Sequence, residues 1–587
     1  MKVVPDGSGI VQVRALLQNP AMSRRRIRPH PVDPAAREAV HAVLGEAPPR
    51  RDLLIEYLHR LQDNHGFLTT DHLAALAEAM KLSRAEVYEV ATFYHHFDVV
   101  RAGEAPPPPL TVRVCDSIAC EMAGARSLID ALRTALGDRV RVQAVSCVGR
   151  CECAPVAVVG RNPVGCADLD AVRRAIDAGA IEDTPPPALD LAGYRAAGGY
   201  RLYEECVGGH RQAEELIAAL EQAGLRGLGG AGFSAGRKWR VVRSQPAPRL
   251  MAVNIDEGEP GTFKDRFHLE RDPHRFLEGM LIAAWAVGAA KIFIYLRDEY
   301  AGVRELFSRS LDALRAAFPD APEIELRRGA GAYVCGEESA MIESIEGRRG
   351  QPRLRPPYVA EMGLFGRPTL VHNMETLNRV REIVERGADW FARQGRHGRK
   401  GLRAFSVSGR VVKPGVHLAP AGITARELID EFCGGMPPGH ELYAYLPGGA
   451  SGGILPARLA DLPLDFDTLQ EHGCFIGSAA IIVLSQHDGA RAAALNAMRF
   501  FARESCGKCT PCRVGTKKAA ELMARDEWDT GLLKELAQTM QDASICGLGQ
   551  AAPNPLLSVL RFFPEELKTS FDAEGAETQR AQREDRT

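Results

Sequence analysis

Apolar residues recur at helical spacing over the first hundred positions. In RDLLIEYLHRLQDNHG, Leu53, Leu54, Tyr57, Leu58 and Leu61 fall at three- and four-residue steps, which puts them on one helix face. DHLAALAEAM repeats the pattern, and a third run, SRAEVYEVATFYHHF, is one that Ser83 and Glu86 would open as a capping box. The texture changes after the rigid linker APPPPL (Ala105–Leu110). LTVRVCD and VRVQAVSC read as short strands separated by a helix running through Leu132. Strand–helix–strand with Cys at the loop mouths predicts a thioredoxin-like unit. Further on, the apolar strands PRLMAVNID and KIFIYLRDEY flank the helix RFLEGMLIAAWAVGA, an alternation that predicts a Rossmann-like α/β layer. From Gly401 to Leu484 the segments are short and β-rich, with one helix, ITARELIDEFC; helical periodicity then returns.

The expected fold class is therefore multidomain α/β. A basic arm (1–30) precedes a helical bundle (31–104) and a thioredoxin-like domain (110–182). A Rossmann-like domain (190–400), a β-rich insert (401–488), a C-terminal helical domain (489–572) and a polar, disordered tail (573–587) follow. A length of 587 residues by itself suggests about four domains, one fewer than the five folded units expected here. A net charge of −2 gives no general case for nucleic acid, and no run of 18 apolar residues is present to span a bilayer. The basic stretch SRRRIRPH lacks an apolar run after it, so it does not read as a signal peptide and the expected location is the cytoplasm. In that compartment fourteen Cys point to metal or redox chemistry rather than disulfides.

Eight of the Cys form two sets. Cys115 and Cys120 have four residues between them, and Cys147 and Cys151 have three. Four thiolates on two loops make a closed soft-ligand site, suited to iron–sulfur or to zinc. Cys153 lies in the same loop but outside the set. Near the C-terminus, Cys506, Cys509 and Cys512 form C-x-x-C-x-x-C, and Cys546 follows in SICGLG, a strong 4Fe–4S pattern with structural zinc as the competing reading. His95 and His96 are adjacent but have no Cys nearby in sequence, which argues against a metal site there.

One stretch organises the middle of the chain. In RGLGGAGFSAGRK (Arg226–Lys238), Gly227, Gly229, Gly230 and Gly232 allow close approach to the main chain, and a glycine turn ahead of a helix suits a phosphate. The spacing is neither that of a P-loop nor a clean G-x-G-x-x-G. NIDEGEPGTFKDR (Asn254–Arg266) and GAGAYVCGEE (Gly329–Glu338) follow it. Together the three resemble the flavin- and NADH-binding subunit of respiratory complex I and of the soluble dehydrogenases built from it. SCVGRCECAP, with the bundle before it, resembles the 24-kDa-type 2Fe–2S subunit, and the β-rich insert resembles the family's ubiquitin-like (SLBB-type) domain. Over nearly the whole chain, segments such as RDLLIE, ATFYHHFDVV, RGLGGAGF and SICGLGQAAPNP look most like the β subunit of molybdenum- or tungsten-containing NAD-dependent formate dehydrogenases.

The resemblance implies FMN, NAD, one 2Fe–2S cluster on the first Cys set and one 4Fe–4S cluster on the second. It places Gly227, Gly229 and Lys238 on the FMN phosphate side and Asn254, Asp256 and Glu257 on the ribityl chain and ring. Tyr333, Gly336, Glu337, Asn373 and Thr376 would close the pocket. For NAD it implies Phe233 as an adenine-stacking face, Glu259 and Glu338 as hydrogen-bond partners beside the hydride site, and Arg355 and Tyr358 nearby. Carboxylates that accept from ribose hydroxyls favour NAD over NADP. Four departures stand out: Leu228 where the family often has Arg, Val241 where it often has an aromatic, Arg355 with Tyr358 for Lys with Phe, and His372 for Asn. A His beside a flavin is expected to titrate near neutrality. The implied activity is that of a diaphorase subunit, its partner a large formate-oxidising subunit with further clusters, with room for small accessory subunits. A NAD-reducing NiFe hydrogenase module, a fused complex I module and a non-enzymatic zinc scaffold are the alternatives.

Overall fold

The computed structural model describes residues 31–46 and 48–567; the expected basic arm and polar tail lie outside the described residues. The first helical stripes fold as Pro34–Leu44, Leu54–His65, Thr70–Met80 and Arg84–Ala91. Leu54, Leu58 and Leu61 have no solvent exposure, as their spacing requires. Ser83 caps its helix by accepting from the Glu86 amide at 3.1 Å, but the Glu86 carboxylate pairs with Arg51, so the reciprocal half of the expected capping box is not made. The bundle packs on the central domain. Its Asp52 takes Arg327, and its His59 bonds the Gly329 carbonyl at 2.8 Å. His96 bonds Asp298 at 2.8 Å, an ion-pair partner distant in sequence, rather than a metal set.

The thioredoxin-like sheet runs in the order Val140–Val145, Leu110–Cys115, Ala157–Val159, Asn162–Val164. The first pair is parallel and the others antiparallel. Its buried side chains form a core of their own, joined from outside by the buried Phe263 and, at its edge, by the half-buried Val416.

The central sheet is fully parallel, in the order Thr369–Asn373, Arg249–Ile255, Ala289–Leu296, Glu323–Arg328. Its two inner strands, Arg249–Ile255 and Ala289–Leu296, are largely buried on both faces, which explains their apolar runs. The chain leaves Arg249–Ile255 toward one edge and returns to its other side with Thr369–Asn373. Strand order therefore reverses between these two, where α/β sheets hold ligands beyond the carboxyl ends. Asn254 and Asn373 pair in register at that place.

The β-rich insert forms a five-stranded mixed sheet, Gly415–Pro420, Leu402–Gly409, Ala480–Ser485, Leu442–Leu446, Leu455–Pro456. Phe405, Val407, Ile481 and Val483 share one core with the central domain, so the insert is a fused layer rather than a free spacer. The helices Ala490–Glu504, Thr510–Met523, Thr530–Ala543 and Asn554–Phe562 close the structure and share a second core with the first bundle. Among the described residues no helix is long and apolar enough to cross a membrane.

Candidate functional site

At the reversal point lies a cavity of about 500 Å³. Of the residues expected at FMN, it is lined by Gly229, Asn254, Asp256, Glu257, Tyr333, Gly336, Glu337 and Asn373, and also by Glu259. The loop reaches it through Gly229, Gly230 and Ala231. A Cβ on Gly229 would stand 2.8 Å from the Asn373 Cβ, so only glycine lets the loop cross this wall. Gly227 and Thr376 do not line the cavity; they shape the loop. The Gly227 amide donates to the Phe233 carbonyl at 2.8 Å, and the Thr376 hydroxyl accepts from the Leu228 amide at 2.9 Å. Lys238 is also outside the wall, with its ammonium on the Val371 carbonyl at 3.2 Å and 3.7 Å from Glu338.

The acidic turn after Ile255 supplies three carboxyls in different states. Burial pushes Asp256 well above the usual carboxylate range, and its Oδ2 is buried without a hydrogen bond. Burial, then the charge of Asp265, raises Glu257 to about 7, while Lys264 pulls it back. Glu257 is already occupied, accepting from the Asp265 amide and the Tyr300 hydroxyl, both at 2.8 Å. Glu259 is raised to about 7, chiefly by burial. The Tyr333 hydroxyl and, at 2.7 Å, the Ser451 amide hold it. Glu337 caps the helix Glu338–Ile345 through the Ser339 and Ala340 amides and takes Arg355 on its other oxygen.

The other residues expected at NAD lie apart from the cavity wall. Phe233 is exposed beneath the Arg237 guanidinium, Glu338 stands 3.6 Å from Arg355, and Tyr358 is exposed. Val241 is exposed, and Leu228 is buried behind the loop. His372 does not titrate near neutrality, contrary to expectation. It is buried, accepts the Trp239 indole N–H at 2.8 Å, and is held well below its ordinary value by burial and by Lys238.

Several wall residues were not anticipated. Lys264 and Asp265, fully buried and paired at 2.8 Å, border the cavity, and Lys264 also meets Glu375 at 3.1 Å. Ser451, Phe475 and Ser478 come from the insert. Gly547, Leu548, Gln550 and Asn554 come from the C-terminal helices. The adjacent charges of FKDR were a readable signal; the serines carried none.

Both Cys sets are connected to residues of this cavity's wall. Cys115 ends its strand, Cys120 lies on Ile118–Met122, and Cys147 and Cys151 flank a turn with sulfurs 3.3 Å apart. Arg297 donates to the Cys147 carbonyl at 2.7 Å and to the Glu257 carbonyl, tying this loop to the acidic turn. In the second set, Cys509 and Cys546 are N-caps of Thr510–Met523 and Gly547–Ala551; Cys506 precedes the first of these helices in the chain and Cys512 lies on it. Burial raises Cys512 to about 12 and Cys546 to about 11, so these thiols ionise only beside added positive charge, which cluster iron provides. Gly547, the residue after Cys546, is on the cavity wall. Among the described residues no three His, Cys, Asp or Glu side chains are arranged around a single ion.

The donors fit the groups implied. Four soft thiols on each site suit clusters, and the unpartnered Asp256 oxygen and the glycine wall suit a polyhydroxylated ligand such as FMN. The fold and site thus define a flavin- and iron–sulfur-containing electron-transfer protein. Residues 40–179 match the thioredoxin-like [2Fe-2S] ferredoxin family, 220–382 the Nuo51 FMN-binding domain, and 492–570 the NADH-ubiquinone oxidoreductase-F iron–sulfur binding region. The F 2 subunit of NADH-quinone oxidoreductase in Rhizobium meliloti is 39% identical over 407 residues, 65% of this chain and 94% of that protein. The mitochondrial 51 kDa subunit of NADH-ubiquinone oxidoreductase in Neurospora crassa is 40% identical over 378 residues, 60% of this chain and 76% of its own. A chain in the crystal structure of a NAD+-reducing NiFe-hydrogenase in its H2-reduced state superposes with a TM-score of 0.78 at 32% identity, over 91% of this chain and 97% of that one. The protein belongs to the 51-kDa family of FMN- and NADH-binding flavoproteins, here joined to a thioredoxin-like 2Fe–2S domain. It is the NAD(H)-dependent component of an oxidoreductase.

Proposed function

We propose that this chain is the NAD-side subunit of a NAD-dependent formate dehydrogenase, passing electrons from formate oxidation to NAD and, in reverse, from NADH toward CO2 reduction. The observation that carries the NAD-side role is the cavity itself: one wall from the glycine loop and acidic turn, another from the helices that bear Cys546. Bound FMN and the clusters supply the redox chemistry, FMN exchanging electrons in pairs with nicotinamide and singly with iron–sulfur. The chain's part is position and electrostatics. Asn254, Asp256, Asn373 and Gly229 hold the flavin, with Lys264, Ser451 and Ser478 added to the expected set, while Gly227, Lys238 and Thr376 brace the loop. Glu259 accepts from the nucleotide, and Phe233, Glu338, Arg355 and Tyr358 form its outer contacts. Cys115, Cys120, Cys147 and Cys151 ligate 2Fe–2S; Cys506, Cys509, Cys512 and Cys546 ligate 4Fe–4S.

Formate as the far substrate rests on the whole-chain resemblance to formate dehydrogenase β subunits. It implies a cytoplasmic complex with a large molybdenum- or tungsten-containing subunit. A second reading, a NAD-reducing hydrogenase, is favoured by the fused layout shared with the hydrogenase chain over 91% of this one. The complex purified through this chain should reduce NAD with formate and not with hydrogen. Hydrogen-driven reduction without formate-driven reduction would replace the formate reading and leave the NAD-side role in place.

A further inference from the structure

Behind the glycine loop lies a second cavity, of about 250 Å³, between the central domain and the insert. Its walls carry four positive side chains, Arg226, Arg399, Lys400 and Arg403, and one carboxylate, Asp465. The exposed Asp467 is spent on Arg226. Asp465 must serve two guanidiniums: it takes Arg399 Nε at 2.8 Å and leaves Arg403 Nη1 at 3.5 Å. Arg403 is 1% exposed, and both its Nε and Nη1 lack a hydrogen bond. Lys400 has no acidic partner among the described residues. Phe466 holds the arrangement open, with Arg403 at 4.2 Å and Arg226 at 4.5 Å from its ring centre. A buried, incompletely bonded guanidinium is costly unless an anion compensates it. Arginine forks match a tetrahedral oxyanion, and the volume accommodates one with its waters.

We propose that this cavity is a binding site for a phosphate-class oxyanion, distinct from the FMN and NAD sites. It is coupled to the flavin wall at two places. Arg403 Nη2 donates at 2.6 Å to the carbonyl of Gly477, which lines the flavin cavity, and Leu228 lines the basic cavity while Gly229 lines the flavin one. An oxyanion that engages Arg403 braces that shared wall and slows the loss of FMN.

The test is equilibrium dialysis of radiolabelled inorganic phosphate against the native complex, replete with FMN and saturated with NAD, in chloride of matched ionic strength. One saturable phosphate per chain is expected. Lys400→Ala and Arg399→Gln, on exposed or half-buried side chains, should each weaken it about tenfold, the effect of losing about 1.4 kcal/mol of charge-assisted contact. NADH–ferricyanide turnover of Lys400→Ala should be unchanged, which separates this site from the nucleotide site. AMP should compete and adenosine should not if the phosphoryl group is what is recognised, whether free or on a nucleotide. FMN release should slow as phosphate saturates. No saturable phosphate, affinity unchanged in both variants, or displacement by adenosine would each overturn the proposal.

Discussion

Glu259 should control the pH dependence of NADH oxidation. Its carboxyl sits on the cavity wall, raised to about 7, chiefly by burial, from an ordinary value of 4.5. Its two oxygens take one donor each, the Tyr333 hydroxyl and the Ser451 amide, so lone pairs remain for ribose hydroxyls. The ionised form accepts such bonds more strongly than the neutral acid. Activity should therefore rise with pH and level off above the raised value. At about pH 6 roughly one site in eleven is ionised, so kcat/KM for NADH should be about tenfold below its plateau. Glu259→Gln keeps the shape and the Tyr333 contact but cannot ionise; its profile should be flat over that interval, near the low level. The assay is NADH–ferricyanide turnover from about pH 5.5 to 8.5 with flavin content measured in parallel. Glu257 shares the value of about 7 but is engaged by backbone amides and Tyr300, so it is the control. If Glu259→Gln retains the inflection and Glu257→Gln loses it, the assignment of Glu259 is wrong.

Gly229→Ala drives a methyl to 2.8 Å from Asn373 Cβ and should lower the FMN released on acid denaturation severalfold, with thermal stability moving less. His372→Leu strands the Trp239 indole N–H and should cost about 1–3 kcal/mol in unfolding free energy, read by denaturant titration; an unchanged midpoint would refute a neutral His acting as acceptor. Iron analysis should find about six Fe per chain, four plus two, and Cys509→Ser should remove one low-temperature EPR signal of the reduced protein and spare the other.

The parts of this molecule legible in its sequence are those whose chemistry is local. C-x-x-C-x-x-C needs no tertiary knowledge, because its three thiols recur at every third residue within one short stretch, inside the region that matches the iron–sulfur family. The asparagines and acidic turn were readable because they close apolar strands, and strand ends at a reversal point are where ligands lie. His372 misled because what fixes its state, burial and the charge of Lys238, comes from the fold, with Lys238 and the hydrogen-bonded Trp239 more than 130 residues away in the chain. Ser451 and Ser478 gave no signal: a lone serine after glycines becomes part of a site only when the insert fuses to the central core. Lys238 illustrates the converse, a basic residue placed well in the motif whose ammonium turns to a backbone carbonyl.

The cavity wall draws on residues from Gly229 to Asn554, and this has a consequence for biogenesis. A ribosome must release more than three hundred further residues after the glycine loop before the last side of the flavin site exists. Flavin capture thus reports on the presence of the C-terminal helices, and truncation within them should yield a product without FMN even though every loop of the FMN-binding domain is present. Cofactor loading and quality control become the same event.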